Sequence, residues 1–150
     1  TTNQYGTTDK FDLKNMHDWP ALLRKFQEAK KNGTKEVTLW GTGSAKIEFL
    51  HVDDLALASI FLMNNYNDSS IVNVGTGKDI SIKTLAQNIQ KIVGFKGKIV
   101  WDKTKPDGPK RKLLNVKKIN KLGWKSKISM DVGLAKTYKW YLENEKNLKM

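Results

Sequence analysis

The chain contains no cysteine, only two histidines and only three prolines among its 150 residues. Without cysteine there are no disulfides and no thiolate metal sites, and the composition fits a reducing cytoplasm. With His17 and His51 as the only imidazoles, a histidine-built metal centre is not expected either. No apolar run approaches the roughly 20 residues that span a bilayer. The longest, Leu55 to Met63, reads as a buried helix. Thr1 to Gly6 is polar and lacks the apolar stretch of a secretory signal. From these absences a cytoplasmic protein without a membrane segment or a metal is expected.

What is present describes one globular α/β unit. An apolar fraction of 39% and a charged fraction of 28% suffice for a single domain with its own core. The formal net charge of +12 is concentrated between Lys96 and Lys127, where 12 Lys/Arg face two acids, Asp102 and Asp107. Such a segment attracts nucleic acid or a ligand carrying several phosphates, or it is a solvated surface. It interleaves charge with Val100, Leu113, Ile119 and Leu122, read as core-facing, and carries no nucleic-acid recognition motif, which argues against a nucleic-acid module.

Helix and strand signals alternate along the chain. Thr1 to Gly6 reads as the end of a strand with no earlier element to pair with, so a further upstream portion is expected. Asp18 or His17 sits near the cap of a helix whose first turn holds Pro20, with Ala21, Leu22, Leu23, Phe26 and Ala29 at helical spacing and a stop at Gly33. Glu36 to Trp40 and Lys46 to Val52 read as strands, with Asp53 or Asp54 capping the helix that follows. Ile71 to Val74 reads as a third strand before Gly75-Thr76-Gly77. Ser81 caps an amphipathic helix carrying Ile82, Leu85, Ala86, Ile89, Ile92 and Val93 on one stripe and stopped by Gly94. Lys98 to Trp101 is a strand, Lys103 to Lys112 a polar loop, and Val116, Ile119 and Leu122 a short helix closed by Gly123. Ser129 caps a last helix with Met130, Leu134, Tyr138, Tyr141 and Leu142 inward.

Four strings in fixed order carry a resemblance: Thr2-Asn3-Gln4-Tyr5-Gly6, Leu39-Trp40-Gly41-Thr42-Gly43, Glu48-Phe49-Leu50-His51-Val52-Asp53-Asp54 and Asn73-Val74-Gly75-Thr76-Gly77. Together they resemble the extended short-chain dehydrogenase/reductase family. Asn15-Met16-His17, Pro20-Ala21-Leu22-Leu23-Arg24, Lys105-Pro106-Asp107-Gly108, Arg111-Lys112-Leu113-Leu114 and Leu134 to Asn144 are similar to its GDP-L-fucose synthase branch. Enzymes of that branch make GDP-L-fucose from GDP-4-keto-6-deoxy-D-mannose with NADPH. The resemblance runs from Thr1 to about Asn144 and implies the carboxy-terminal, substrate-binding part of such an enzyme, residues 1–150 forming one lobe. It also implies a Rossmann half as partner, and a homodimer.

The catalytic set of that family, a Gly-rich dinucleotide turn and a Tyr-x-x-x-Lys pair, is not in this sequence. No tyrosine has lysine four residues later, and neither Gly41-x-Gly43 nor Gly75-x-Gly77 has the third glycine of the phosphate-binding fingerprint. NADP(H) would therefore be held mainly by the other half, and this chain alone is expected to be inactive. The resemblance makes His17 the acid that reprotonates an enolate during epimerisation, a task suited to an imidazole. It places Thr1, Thr2, Asn3, Gln4 and His17 at the nicotinamide end of the cofactor, and Lys25, Trp40, Lys98, Asp107 and Lys112 around the sugar nucleotide. Lys25 and Lys98 stand where relatives have arginine, Ile47 stands where they have another, and Thr1 and Thr7 stand where proline is common. These departures keep a UDP- or dTDP-sugar open as substrate, and a noncatalytic remnant open as well. His51, Asp53 and Asp54 read as structural, a helix start and a buried anchor.

Overall fold

Helix α1 (Trp19–Lys31) begins where Pro20 fits a first turn, since proline has no N–H to leave unpaired there. One side, with Leu22, Leu23 and Phe26, is buried. It leads into β2 (Glu36–Trp40), and β1 (Asn3–Tyr5) precedes it. The computed structural model describes residues 1–11 and 19–148 of the protein. Asn15, Met16, His17 and the caps expected at His17 or Asp18 lie outside the described residues.

Strand β3 (Lys46–His51) is the spine of a four-stranded sheet. Its second half pairs in parallel with β1, Asn3 opposite Phe49 and Tyr5 opposite His51. Its first half pairs antiparallel with β4 (Asp79–Ser81) and parallel with β6 (Arg111–Lys112), Ile47 facing both Ile80 and Lys112. A separate two-stranded parallel sheet joins β2 to β5 (Lys98–Asp102), Trp40 opposite Asp102. The opening segment thus pairs with a strand that comes later in the chain. The expected polar loop ends two residues sooner, because Arg111 and Lys112 pair with β3.

Around these sheets pack α2 (Val52–Asn65), α3 (Ile82–Val93), α4 (Lys117–Leu122) and α5 (Met130–Asn144). The main core joins Leu23 and Phe26 of α1, Val37 and Leu39 of β2, Phe49 of β3, Leu85, Ile89 and Val93 of α3 and Leu134 and Tyr141 of α5. Each such side chain contributes about 1.5–3 kcal/mol when fully buried. A smaller core holds Leu50, Ala58, Val74, Ile119 and Trp124. No helix among the described residues is long and apolar enough to cross a membrane.

Several expectations are corrected. The Leu55 to Met63 run is helical but not buried: Leu57, Ile60 and Met63 are 51%, 56% and 84% exposed. Ile71 to Val74 is no strand; the segment receives one backbone hydrogen bond, from Thr2 N to Val74 O at 3.3 Å. Leu142 lies outward, and Gly133 and Thr137 fill the inner side of α5 instead. Val100 and Leu113 are also exposed, while Ile119 is fully buried. The α2 cap is His51 rather than Asp53 or Asp54, its Nδ1 accepting the Asp53 N–H at 3.2 Å.

Candidate functional site

The Trp40-Gly41-Thr42-Gly43 turn leaves the end of β2, and two later segments close on its glycines. A Cβ on Gly41 would lie 2.3 Å from Asp107 Oδ1, and one on Gly43 2.5 Å from the ring of Trp101. Both glycines have positive φ, 78° and 73°, which a side chain would strain. Asp107 uses the space: its Oδ1 accepts the Thr42 N–H at 2.8 Å, and its Oδ2 accepts the Thr42 hydroxyl at 2.7 Å. Asp102 accepts from Thr104 N and Oγ1, and Lys46 N donates to Lys110 O at 3.0 Å. Residues 103–110 are thereby pinned at three points, to Asp102 at the end of β5, to Thr42 in the turn after β2 and to Lys46 at the start of β3.

Beneath that loop lies a cavity of about 220 Å³. Leu22, Leu39, Ala45, Ile47 and Ile82 give it apolar walls, Trp40 and Trp101 give it indole surfaces, and Asn3 and Lys112 give it polar ends. Trp40 is 38% exposed and so presents its ring at the rim instead of spending it on the core. The register explains why Lys112 is here: it sits beside Ile47 across the β3–β6 pairing, and paired residues share a face of the sheet. The cavity can take a flat, partly apolar group and offers it one amide and one ammonium.

Of the residues singled out in the sequence, Asn3, Trp40 and Lys112 meet in this cavity, with Asp107 holding its roof. Thr1, Thr2 and Gln4 do not line it; Gln4 is tied to Thr1 and Thr2, and the Thr2 hydroxyl donates to Glu48 O. Lys25 does not line it; its Nζ donates to Thr38 O at 2.5 Å, and burial lowers its pKa. Lys98 belongs to another groove, with Lys83, Gln87 and Gln90. Trp101 borders both. His17 lies outside the described residues.

Sequence reading missed Trp101 and Ile82 as cavity walls, Lys105, whose Nζ stands 5.6 Å from the centre of the Trp40 ring, and Glu48. Glu48 is fully buried and accepts from Gly77 N at 2.6 Å, Leu114 N at 2.9 Å and Thr76 Oγ1 at 3.3 Å. The sequence signal for Trp101 is its place in a strand, and for Glu48 its place at the head of the string running to Asp54. The glycine turns therefore do not cradle phosphate: Gly41 is filled by Asp107, and a Cβ on Gly75 would meet Glu48 Oε1 at 2.4 Å. The structural reading of His51, Asp53 and Asp54 agrees with the contacts. Asp54 accepts from Lys127 N and Ile128 N at 3.0 and 2.9 Å. The Asp53 pKa is lowered, first by its hydrogen bond from Lys136. His51 is buried, which lowers its pKa, and among the described residues its Nε2 has no hydrogen-bond partner.

The strands and turns that build this cavity also carry the likeness to known proteins. The model of the NAD dependent epimerase/dehydratase family matches residues 1–75. A putative GDP-L-fucose synthase 2 of Arabidopsis thaliana is 55% identical over 95% of this chain and 44% of its own length. The GDP-L-fucose synthase of Escherichia coli is 49% identical over 96% of this chain and 48% of its own length. A crystal structure of a GDP-L-fucose synthetase from Naegleria fowleri bound to NADP superposes with a TM-score of 0.92 at 27% identity, covering 99% of this chain and 47% of that one. The chain thus spans about half the length of these relatives. With half its sequence matched by the family model and its α/β fold shared almost throughout, the chain belongs to the NAD dependent epimerase/dehydratase family.

Proposed function

We propose that this chain is the sugar-nucleotide-binding lobe of an NADPH-dependent epimerase/reductase converting GDP-4-keto-6-deoxy-D-mannose to GDP-L-fucose. The observation that carries this reading is the cavity in which Trp40, Asn3 and Lys112 converge under the 103–110 loop. Its indole surface suits a flat base and its ammonium suits a phosphate. At about 220 Å³ it is smaller than the roughly 300–1,000 Å³ of a pocket for a whole ligand, so it suits one end of a nucleotide-sugar. Lys25 and Lys98, outside it, contribute charge near the ligand rather than direct base contacts.

In this proposal His17 delivers the proton to the enolate formed next to the sugar ketone, and Thr1 to Gln4 border the nicotinamide end of the cofactor. NADPH, when bound, supplies the hydride. The glycine turns described above do not fit its diphosphate, because Asp107 and Glu48 occupy them, so this chain's contribution is substrate placement and the proton. A separate dinucleotide-binding half as partner is supported by two surfaces: among the described residues β1 pairs on one side only, and α2 leaves Leu57, Ile60 and Met63 exposed. Exposed apolar groups clustered on one helix mark a surface suited to an interaction partner. The nucleic-acid reading is weakened by Lys118, whose ammonium is held by Tyr66 and Ser70 inside the basic segment.

Isothermal titration of the chain with GDP, UDP and dTDP tests the proposal. GDP is expected to bind tightest, and Lys112→Met to weaken it about tenfold, as for a lost charge-assisted hydrogen bond. Tighter binding of UDP or dTDP would move the assignment to another nucleotide-sugar, and no binding of any of the three would remove it.

A further inference from the structure

We propose that Lys105 is a specificity-determining residue that makes the Trp40 cavity select a phosphorylated nucleoside over the bare nucleoside. The inference rests on the reading of that cavity as a nucleotide site, and it concerns a residue to which that reading gives no role.

The backbone at Lys105 is fixed while its side chain is exposed. Its N–H donates to Asp102 O at 3.2 Å, inside the turn that Thr104 closes on the Asp102 carboxylate. Two residues on, Asp107 anchors the loop to Thr42 through both oxygens. The loop cannot slide sideways without breaking those bonds, and the approach of Asp107 to Gly41 leaves no slack for it to sink further. From this fixed root the Lys105 ammonium stands over the Trp40 ring, 5.6 Å from its centre. Lys112 is the one lysine among the residues lining the cavity, so Lys105 supplies a second cation at its rim.

An ammonium over an aromatic face is a weak, partly solvated interaction. A hydrogen bond from the same ammonium to a phosphate is charge-assisted and stronger. A ligand that lays a flat ring against Trp40 disturbs the Lys105 contact. If it carries a phosphate within reach of the flexible lysine stem, it replaces that contact with a better one. A bare nucleoside disturbs the contact and returns nothing. Discrimination against the nucleoside therefore comes from two sources with one origin, the gain at the phosphate and the loss at the ring. A lysine acting only through the general positive potential of the chain would behave differently, because removing any neighbouring lysine would then have the same effect.

The test is titration calorimetry of the 150-residue chain and its Lys105→Met and Lys103→Met variants. Each is titrated with GDP and with guanosine, or with whichever nucleoside diphosphate binds and its nucleoside. Lys105→Met is expected to weaken the diphosphate about tenfold and to leave the nucleoside unchanged or slightly tighter, the signature of one lost charge-assisted contact. Lys103→Met, on the same loop and also exposed, should shift both ligands by less than about twofold, as a surface charge does. Equal diphosphate-to-nucleoside ratios in the wild type and Lys105→Met would overturn the proposal while leaving the nucleotide site standing, and so would equal effects of the two variants. If none of the nucleoside diphosphates binds the wild type, both readings fall together.

Discussion

Helices α2 and α3 are nearly the same length, 14 and 12 residues, and each follows a short strand, yet they use their apolar residues in opposite ways. In α3 the apolar side chains fall on one stripe, and Leu85, Ala86, Ile89 and Val93 are buried while Lys83, Gln87 and Lys91 face water. In α2 the apolar residues run almost around the helix, and only Asp54 and Ala58 are buried. The richer helix in apolar side chains is thus the more exposed one. Hydrophobicity says how much surface a segment would bury, whereas periodicity says which face it buries inside its own chain. An apolar run without a polar face keeps a second side available for something else.

The contrast can be broken at its strongest point first. Ile89→Ala, at a fully buried position of α3, is expected to cost about 2–5 kcal/mol in urea unfolding, from lost transfer energy plus the cavity left behind. A loss below about 1 kcal/mol would mean that the α3 stripe is not the core described here.

The caps differ in a way that pH sharpens. Ser81 caps α3 with a hydroxyl that does not titrate, while His51 caps α2 with Nδ1, an acceptor only when unprotonated. Burial holds the His51 pKa below its ordinary value, so the unfolded chain takes up the proton first as pH falls. Stability from this residue is therefore complete above about pH 6.5 and declines below it, at up to about 1.4 kcal/mol per pH unit. His51→Asn keeps a capping acceptor without the titration, and its urea midpoint should lose that slope between pH 7 and 5.5. An unchanged slope would assign the pH dependence elsewhere. Asp53 acts in a separate window: its carboxyl pKa is lowered, so its contribution is lost only at more acidic pH.

The smallest effect belongs to the bare side of α2. Ile60→Glu is expected to change stability by no more than about 0.5 kcal/mol, because the side chain is already in water. Binding of a hydrophobic dye should nevertheless fall measurably. A large destabilisation would show that this face is packed within the chain after all.

Much of the local structure was legible because its chemistry is local. Ser81, Gly94, Ser129 and Gly123 mark helix ends through a hydroxyl at an N-terminus or a left-handed glycine at a C-terminus, contacts made within a few residues. Ile71 to Val74 has the composition of a strand, but strand formation needs a backbone partner, and among the described residues only the Thr2 N–H bonds to its backbone from another backbone. The resemblance groups Trp40 with Lys112, and the two line one cavity. Lys98 was grouped with them, yet it lies on the α3 side of β5, a separation that depends on how two sheets sit side by side. The resemblance places Asp107 around the sugar nucleotide, and its carboxylate is engaged by Thr42, 65 residues away. Such contacts join segments whose distance in sequence hides their closeness in space.

The buried Glu48 carries that point into the order of folding. One carboxylate ties a turn 29 residues downstream to a segment 66 residues downstream, neither of them helix or strand. Closing loops of this length costs chain entropy before any contact repays it. The irregular turns at Gly77 and Leu114 thus gain this shared anchor only once the chain has brought Glu48 to them. Removing that carboxylate would take from both turns the one anchor they share, while each keeps local contacts of its own.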